Sequence, residues 1–147
     1  MKRILIISLV SLALFGCGEN KITKEYLLGN WHCVGNEYEK ENSDANEDFD
    51  DSVSSSEKTM TFKMLDNELY QINEDGTKIL IDPNKMDTNK SEVTENAKIN
   101  TKTTTKIVNS DTFNFTILAE INKINSNNNN NIIDLRTKTE VICTRIK

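Results

Sequence analysis

Apolar and polar residues alternate along most of the chain beyond residue 28, and a period of two is the mark of strands with one buried face. Trp31, Cys33 and Gly35 share one face of a first strand, and Met60, Phe62 and Met64 share one face of a second. Leu69 to Ile72 and Lys78 to Ile81 read as two short strands, because Asn73-Glu74-Asp75-Gly76 between them ends in Asp-Gly, a strong hairpin signal. Asp82-Pro83-Asn84 then ends the second of these. Between Val93 and Val108, residues Ala97, Ile99, Thr101, Thr103, Thr105 and Ile107 fall on one face, while Lys98, Asn100, Lys102, Thr104 and Lys106 fall on the other. That is a half-buried sheet backed by solvent. Phe113, Phe115, Ile117, Ala119 and Ile121 continue the apolar face, and Ile133, Leu135, Val141 and Cys143 carry it through the last strand. Nowhere after residue 17 do apolar residues recur at helical spacing over three turns. The pattern predicts an all-β domain over residues 29–147, a small antiparallel meander of seven or eight strands. With only 5 Gly and 1 Pro in the chain, its turns fall to Asn and Asp, which tolerate left-handed backbone geometry.

Two stretches break the alternation. Residues 39–57 hold eight acids, one Lys and Ser54-Ser55-Ser56, too little apolar content to pack, so a mobile acidic loop is expected between the first and second strands. Asp44, Asn46, Asp48 and Asp50 alternate like the opening of a calcium loop, but Phe49 stands where such a loop needs Gly and Ser55 where it needs a bidentate Glu. No metal site is expected there. The second stretch, Asn125 to Asn131, is Asn throughout except for Ser126 and reads as a flexible hairpin connection.

The N-terminus has a different character. Met1-Lys2-Arg3 is basic, and Ile4 to Phe15 is a run of 12 residues that is apolar apart from Ser8 and Ser11. That length suits a signal-peptide core; a membrane-spanning helix needs about 20 residues. Leu14-Phe15-Gly16-Cys17 resembles the lipobox of bacterial lipoproteins, with an aliphatic residue three places before the cysteine and a small one just before it. The resemblance implies a signal peptide over residues 1–16, a mature chain starting at Cys17 that carries two or three acyl chains, palmitate among them, and a tether over residues 17–28. Two or more chains anchor a protein stably in a membrane, where one holds only marginally. Gly18 rather than Asp follows the cysteine, which under enterobacterial-type sorting implies the outer membrane, facing the periplasm.

Loss of residues 1–16 removes Lys2 and Arg3 and leaves 131 residues with 16 basic against 23 acidic side chains, a net charge of −7. Such a surface argues against nucleic acid or anionic headgroups as partners, because both reward clustered Lys and Arg. A basic protein partner suits it. With Cys17 acylated, Cys33 and Cys143 remain, and an oxidising compartment turns such a pair into a disulfide. The alternatives are two buried free thiols or a metal pair, for which only His32 is at hand, and it faces away from Cys33 on a strand.

Gly29-Asn30-Trp31, after Tyr26-Leu27-Leu28, resembles the G-x-W signature that opens lipocalin and lipocalin-like barrels. That family stacks an Arg from near its last strand on the Trp at the closed end of the barrel. If Cys33 and Cys143 are bridged as cross-strand neighbours, Trp31 and Arg145 also lie opposite one another, as a cation–π pair worth roughly 0.5 to 2 kcal/mol. Pairing of the first strand with the last is what closes a barrel. The resemblance implies a small apolar ligand or lipid in the cup, with Met60, Phe62, Leu69, Phe113, Phe115 and Leu135 as candidate lining. Against that, a domain of this size with short strands is expected to fill its interior with side chains.

Catalysis is hard to build here. His32 is the single histidine, no nucleophile–base spacing surrounds it, and the carboxylates cluster where no scaffold would separate their pKa values. No cofactor motif occurs. The sequence therefore points to a non-enzymatic, membrane-anchored accessory lipoprotein. Its leading function is protein binding of the immunity, exclusion or inhibitor type, with a lipocalin-like binder of a small apolar ligand or lipid as the alternative.

Overall fold

A computed structural model describes residues 21–124 and 132–147. The expected lipobox, with Cys17 as the expected acylation site, and the Asn-rich connection at 125–131 lie outside the described residues. The described chain begins within the stretch expected as a tether, and there it forms a single helical turn, α1 (Lys24–Leu27), with Leu27 buried. Thr23 caps it, its hydroxyl accepting from the Tyr26 N–H at 3.2 Å.

Eight strands follow: β1 (Gly29–Asp44), β2 (Ser54–Leu65), β3 (Glu68–Ile72), β4 (Lys78–Ile81), β5 (Thr88–Val93), β6 (Ala97–Asn109), β7 (Thr112–Lys123) and β8 (Ile132–Arg145). All pair antiparallel in one curled sheet of order β4-β3-β2-β1-β8-β7-β6-β5. The molecule is thus all-β, a half-barrel consistent with a lipocalin-like barrel. The turns follow their sequences. Asp66 and Asn67 both adopt positive φ, 50° and 64°, in the two-residue β2–β3 connection. Gly76 takes φ 82° in the β3–β4 hairpin, where Asp75 Oδ1 accepts from the Thr77 N–H at 2.9 Å.

First and last strands join as a barrel requires, with Trp31 opposite Arg145 and Cys33 opposite Cys143. The sheet parts elsewhere. Among the described residues β4 and β5 form no ladder with each other, so a seam runs down the wall between them. They are short, four and six residues, and between them the chain crosses in a 3-10 turn, Pro83–Lys85, whose proline has no N–H to give to a ladder.

The core gathers at one end. Leu27, Trp31 and Leu69 are wholly buried, with Ile22, Cys33, Phe62, Phe113 and Cys143 nearly so. Trp31 Nε1 donates to the Leu27 carbonyl at 2.7 Å, and the Trp31 and Phe113 rings meet edge to face at 4.9 Å. Arg145 lies over Trp31, its Cζ 4.2 Å from the ring centroid, and it donates to the carbonyls of Leu28 at 2.5 Å and Tyr26 at 2.6 Å. Gly29 makes room for this arrangement: its φ is +116°, and a Cβ there would lie 3.3 Å from Arg145 Nη1. The Cys33–Cys143 disulfide closes a span of 110 residues, which in the chain-entropy account stabilises the fold by on the order of 4 to 5 kcal/mol.

The acidic stretch differs from expectation. β1 runs on to Asp44 and β2 starts at Ser54, so the loop shrinks from residues 39–57 to residues 45–53, and it is pinned. Arg136 Nη1 donates to the carbonyls of Asp44 at 2.9 Å and Glu47 at 2.7 Å. Lys40 Nζ donates to the Asp48 carbonyl at 2.7 Å and lies 3.8 Å from Asp50 Oδ1. Phe49 folds back onto the outer face of β1 and β8, with Arg136 Cζ 4.7 Å and Lys138 Nζ 5.0 Å from its ring. Cations on neighbouring strands offset the acids, and one aromatic supplies the packing that composition alone does not.

Candidate functional site

Parity along the strands decides which side chains face the hollow of the half-barrel. β2 turns Met60 and Phe62 inward; their partners across β1, β8 and β7 place Val141, Cys143, Phe113 and Phe115 on the same face. These side chains wall a cavity of about 520 Å³, within the roughly 300–1,000 Å³ typical of small-molecule sites. Phe113, one of these side chains, packs in turn against the buried Trp31.

The remaining wall comes from the seam. Ile81 at the end of β4 and Met86 after the 3-10 turn add apolar surface, while Thr88 and Lys90 of β5, Thr103 of β6, Gln71 of β3 and Lys85 add polar groups. The cavity is therefore apolar on the β2, β7 and β8 side and mixed, with two lysines at its border, on the β4–β5 side. Lys85 has Asp82 Oδ2 at 3.6 Å. The Asp82 carboxyl is held below its usual value, chiefly by the Asn84 backbone N–H that it accepts.

Four of the candidate lining residues, Met60, Phe62, Phe113 and Phe115, meet here. Leu69 does not: it stands opposite Met64 and Ile81 in the ladders and is wholly buried in the core. Leu135 does not either. It shares the inward parity of Cys143 but lies eight residues away along β8, about 26 Å at strand rise. The interior is also not filled as expected. A closed barrel with so few residues has little spare room, but this one parts at the seam, and the inward face of β6 offers threonines where bulk is needed. Ile81, Lys85, Met86 and Lys90 were not among the candidates; the inward parity of β4 and β5 is the signal that reaches Ile81 and Lys90.

His32 lies exposed on the outer face, with Nε2 3.8 Å from Glu57 Oε2. Among the described residues no group of three or more His, Cys, Asp or Glu side chains could hold a metal ion. No helix among the described residues is long and apolar enough to cross a membrane. At the closed end, burial raises the pKa of Tyr26, whose hydroxyl donates to the carbonyls of Asn109 at 2.8 Å and Thr112 at 2.9 Å. The chain matches no protein-family model, no curated protein and no solved structure.

Proposed function

We propose that this chain is a non-enzymatic, lipid-anchored protein of the bacterial cell envelope whose half-barrel binds a small, largely apolar ligand. The observation that carries the binding reading is the cavity of about 520 Å³ between Met60, Phe62, Phe113 and Phe115 on one side and the β4–β5 seam on the other. Its walls combine apolar surface with a few polar groups on one side, the composition that orients a ligand while the apolar area supplies affinity. The anchor reading rests on Leu14-Phe15-Gly16-Cys17, and localisation in the outer membrane on Gly18.

Protein binding is the second reading. The observation that favours it is the unpaired β4 edge, where Ile79 and Leu80 are exposed and where a partner strand would find free backbone groups.

Titration of the full chain with a neutral fluorescent apolar probe separates the two. The first reading predicts one saturable site, lost in Thr103→Trp, whose indole occupies the cavity. Absence of saturable binding, or binding indifferent to Thr103→Trp, contradicts it. Labelling of cells with a palmitate analogue should mark the wild-type chain and not Cys17→Ser; equal labelling of both contradicts the anchor.

A further inference from the structure

The seam is more than a gap in the ladder. Ile81, Lys85 and Met86 border the interior cavity and also a groove on the outside of the wall, shared with Leu80 and Asp82. The cavity thus reaches the exterior sideways between β4 and β5, past two flexible apolar side chains, Ile81 and Met86.

Two further features bear on what passes through. Lys85 and Lys90 both border the cavity, and among the described residues Lys90 has no carboxylate within ion-pair distance. An anion at the seam would add a second partner for Lys85 beside Asp82 and a first one for Lys90. The first described residues of the chain also lie here: Lys21 and Ile22 border a hollow with Pro83, Asn84 and Met86 beside the turn that crosses the seam, and Ile22 is buried. Cys17 lies four residues before Lys21, a reach of at most about 14 Å. A lipid on Cys17 therefore keeps the membrane surface within reach of the seam. Exposed Leu80 and Ile79 border the seam on the β4 side.

From this juxtaposition we infer that the β4–β5 seam is a lateral portal through which a single-chain anionic amphiphile of the fatty-acid class passes from the adjoining membrane into the cup. Its hydrocarbon chain lies against Met60, Phe62, Phe113 and Phe115, and its carboxylate rests between Lys85 and Lys90. The inference rests on the binding and anchor readings above and adds the ligand class and the route.

The test uses the acylated full chain reconstituted in neutral phosphatidylcholine vesicles, with a photoactivatable palmitic acid or the corresponding hexadecanol in the bilayer. Wild type should be labelled by the acid, with cross-links on residues 78–90. The double variant Lys85→Glu, Lys90→Glu should be labelled by the acid about tenfold less, while its labelling by the alcohol stays level. Both lysines are exposed, so an unchanged circular dichroism spectrum is expected to accompany that loss. Ile81→Trp, which narrows the portal, should slow labelling by both reagents. Failure of both reagents on wild type removes the binding reading itself. Equal labelling of the double variant by the acid overturns the carboxylate assignment and leaves the cup standing. Rapid labelling of Ile81→Trp, or cross-links confined to strand ends away from the seam, overturns the portal.

Discussion

Replacing Arg145 by Met should loosen the closed end of the half-barrel while keeping the aliphatic stem in place. The guanidinium donates to the carbonyls of Leu28 and Tyr26, just where α1 runs out of partners of its own, and lies 4.2 Å from the Trp31 centroid. Its Nε is also 3.3 Å from Asp111 Oδ1, on a side chain about one quarter exposed. A charge-assisted hydrogen bond contributes roughly 1.5 to 3 kcal/mol when buried, and partial exposure here argues for the lower end. The cation–π contact adds about 0.5 to 2 kcal/mol, and the ion pair with Asp111 adds little at this exposure. The expected loss is about 3 kcal/mol, a fall in melting temperature of roughly 10 °C for a domain of this size. Urea and thermal denaturation, each followed through Trp31, the single tryptophan, read the two quantities in turn, and native-state emission should shift to the red as α1 loosens. Arg145→Lys, a point charge without the planar fork, should recover less than half of the loss. A decrease below about 0.5 kcal/mol in Arg145→Met, or full recovery in the Lys variant, would refute the reasoning.

The Cys33→Ala, Cys143→Ala pair should lose about 2 to 5 kcal/mol relative to the oxidised protein; denaturation with and without reductant checks this, since reductant should abolish the difference. For Tyr26 the sign follows from burial: its folded-state pKa is raised above the ordinary value of about 10. Its contribution to stability is complete below that value and is lost as pH climbs through the raised one. Tyr26→Phe should therefore flatten the decline of stability above about pH 10, and denaturant titrations across that range would show an unchanged slope if the hydroxyl played no part. Phe49→Ala should free the 45–53 loop and raise its amide hydrogen exchange; unchanged exchange would mean that the backbone bonds from Arg136 and Lys40 suffice.

Strand count, parity and the β1–β8 register were legible because side-chain alternation and one cross-strand pair fix a ladder: once Cys33 faces Cys143, Trp31 must face Arg145. The β3–β4 hairpin was legible through Asp75-Gly76, and the turn at Asp66-Asn67 follows the general expectation that Asp and Asn accept positive φ. Three things were not. The anchoring of the acidic loop depends on Phe49, Arg136 and Lys138, residues up to 89 positions apart in sequence that meet only once β1 and β8 have paired. Leu69 and Leu135 carry the right parity but the wrong height along the strand, and period two gives a face without a depth. The seam follows from a missing ladder between two short strands, and nothing in an alternating pattern announces which neighbours will fail to pair. With the seam came the cavity and its two lysines.

The central claim is an accessible cup between the apolar wall and the seam, and methionine methyl groups report on it directly. Of the chain's four methionines, Met60 and Met86 border the cavity on opposite sides, while Met64 stands partly exposed outside it. In a ¹³C-methyl NMR titration of the full chain with palmitic acid, the Met60 and Met86 resonances should shift together and saturate at one equivalent while Met64 stays in place. Resonances of Met60 and Met86 that remain fixed while Met64 moves, or that never saturate, would contradict the account.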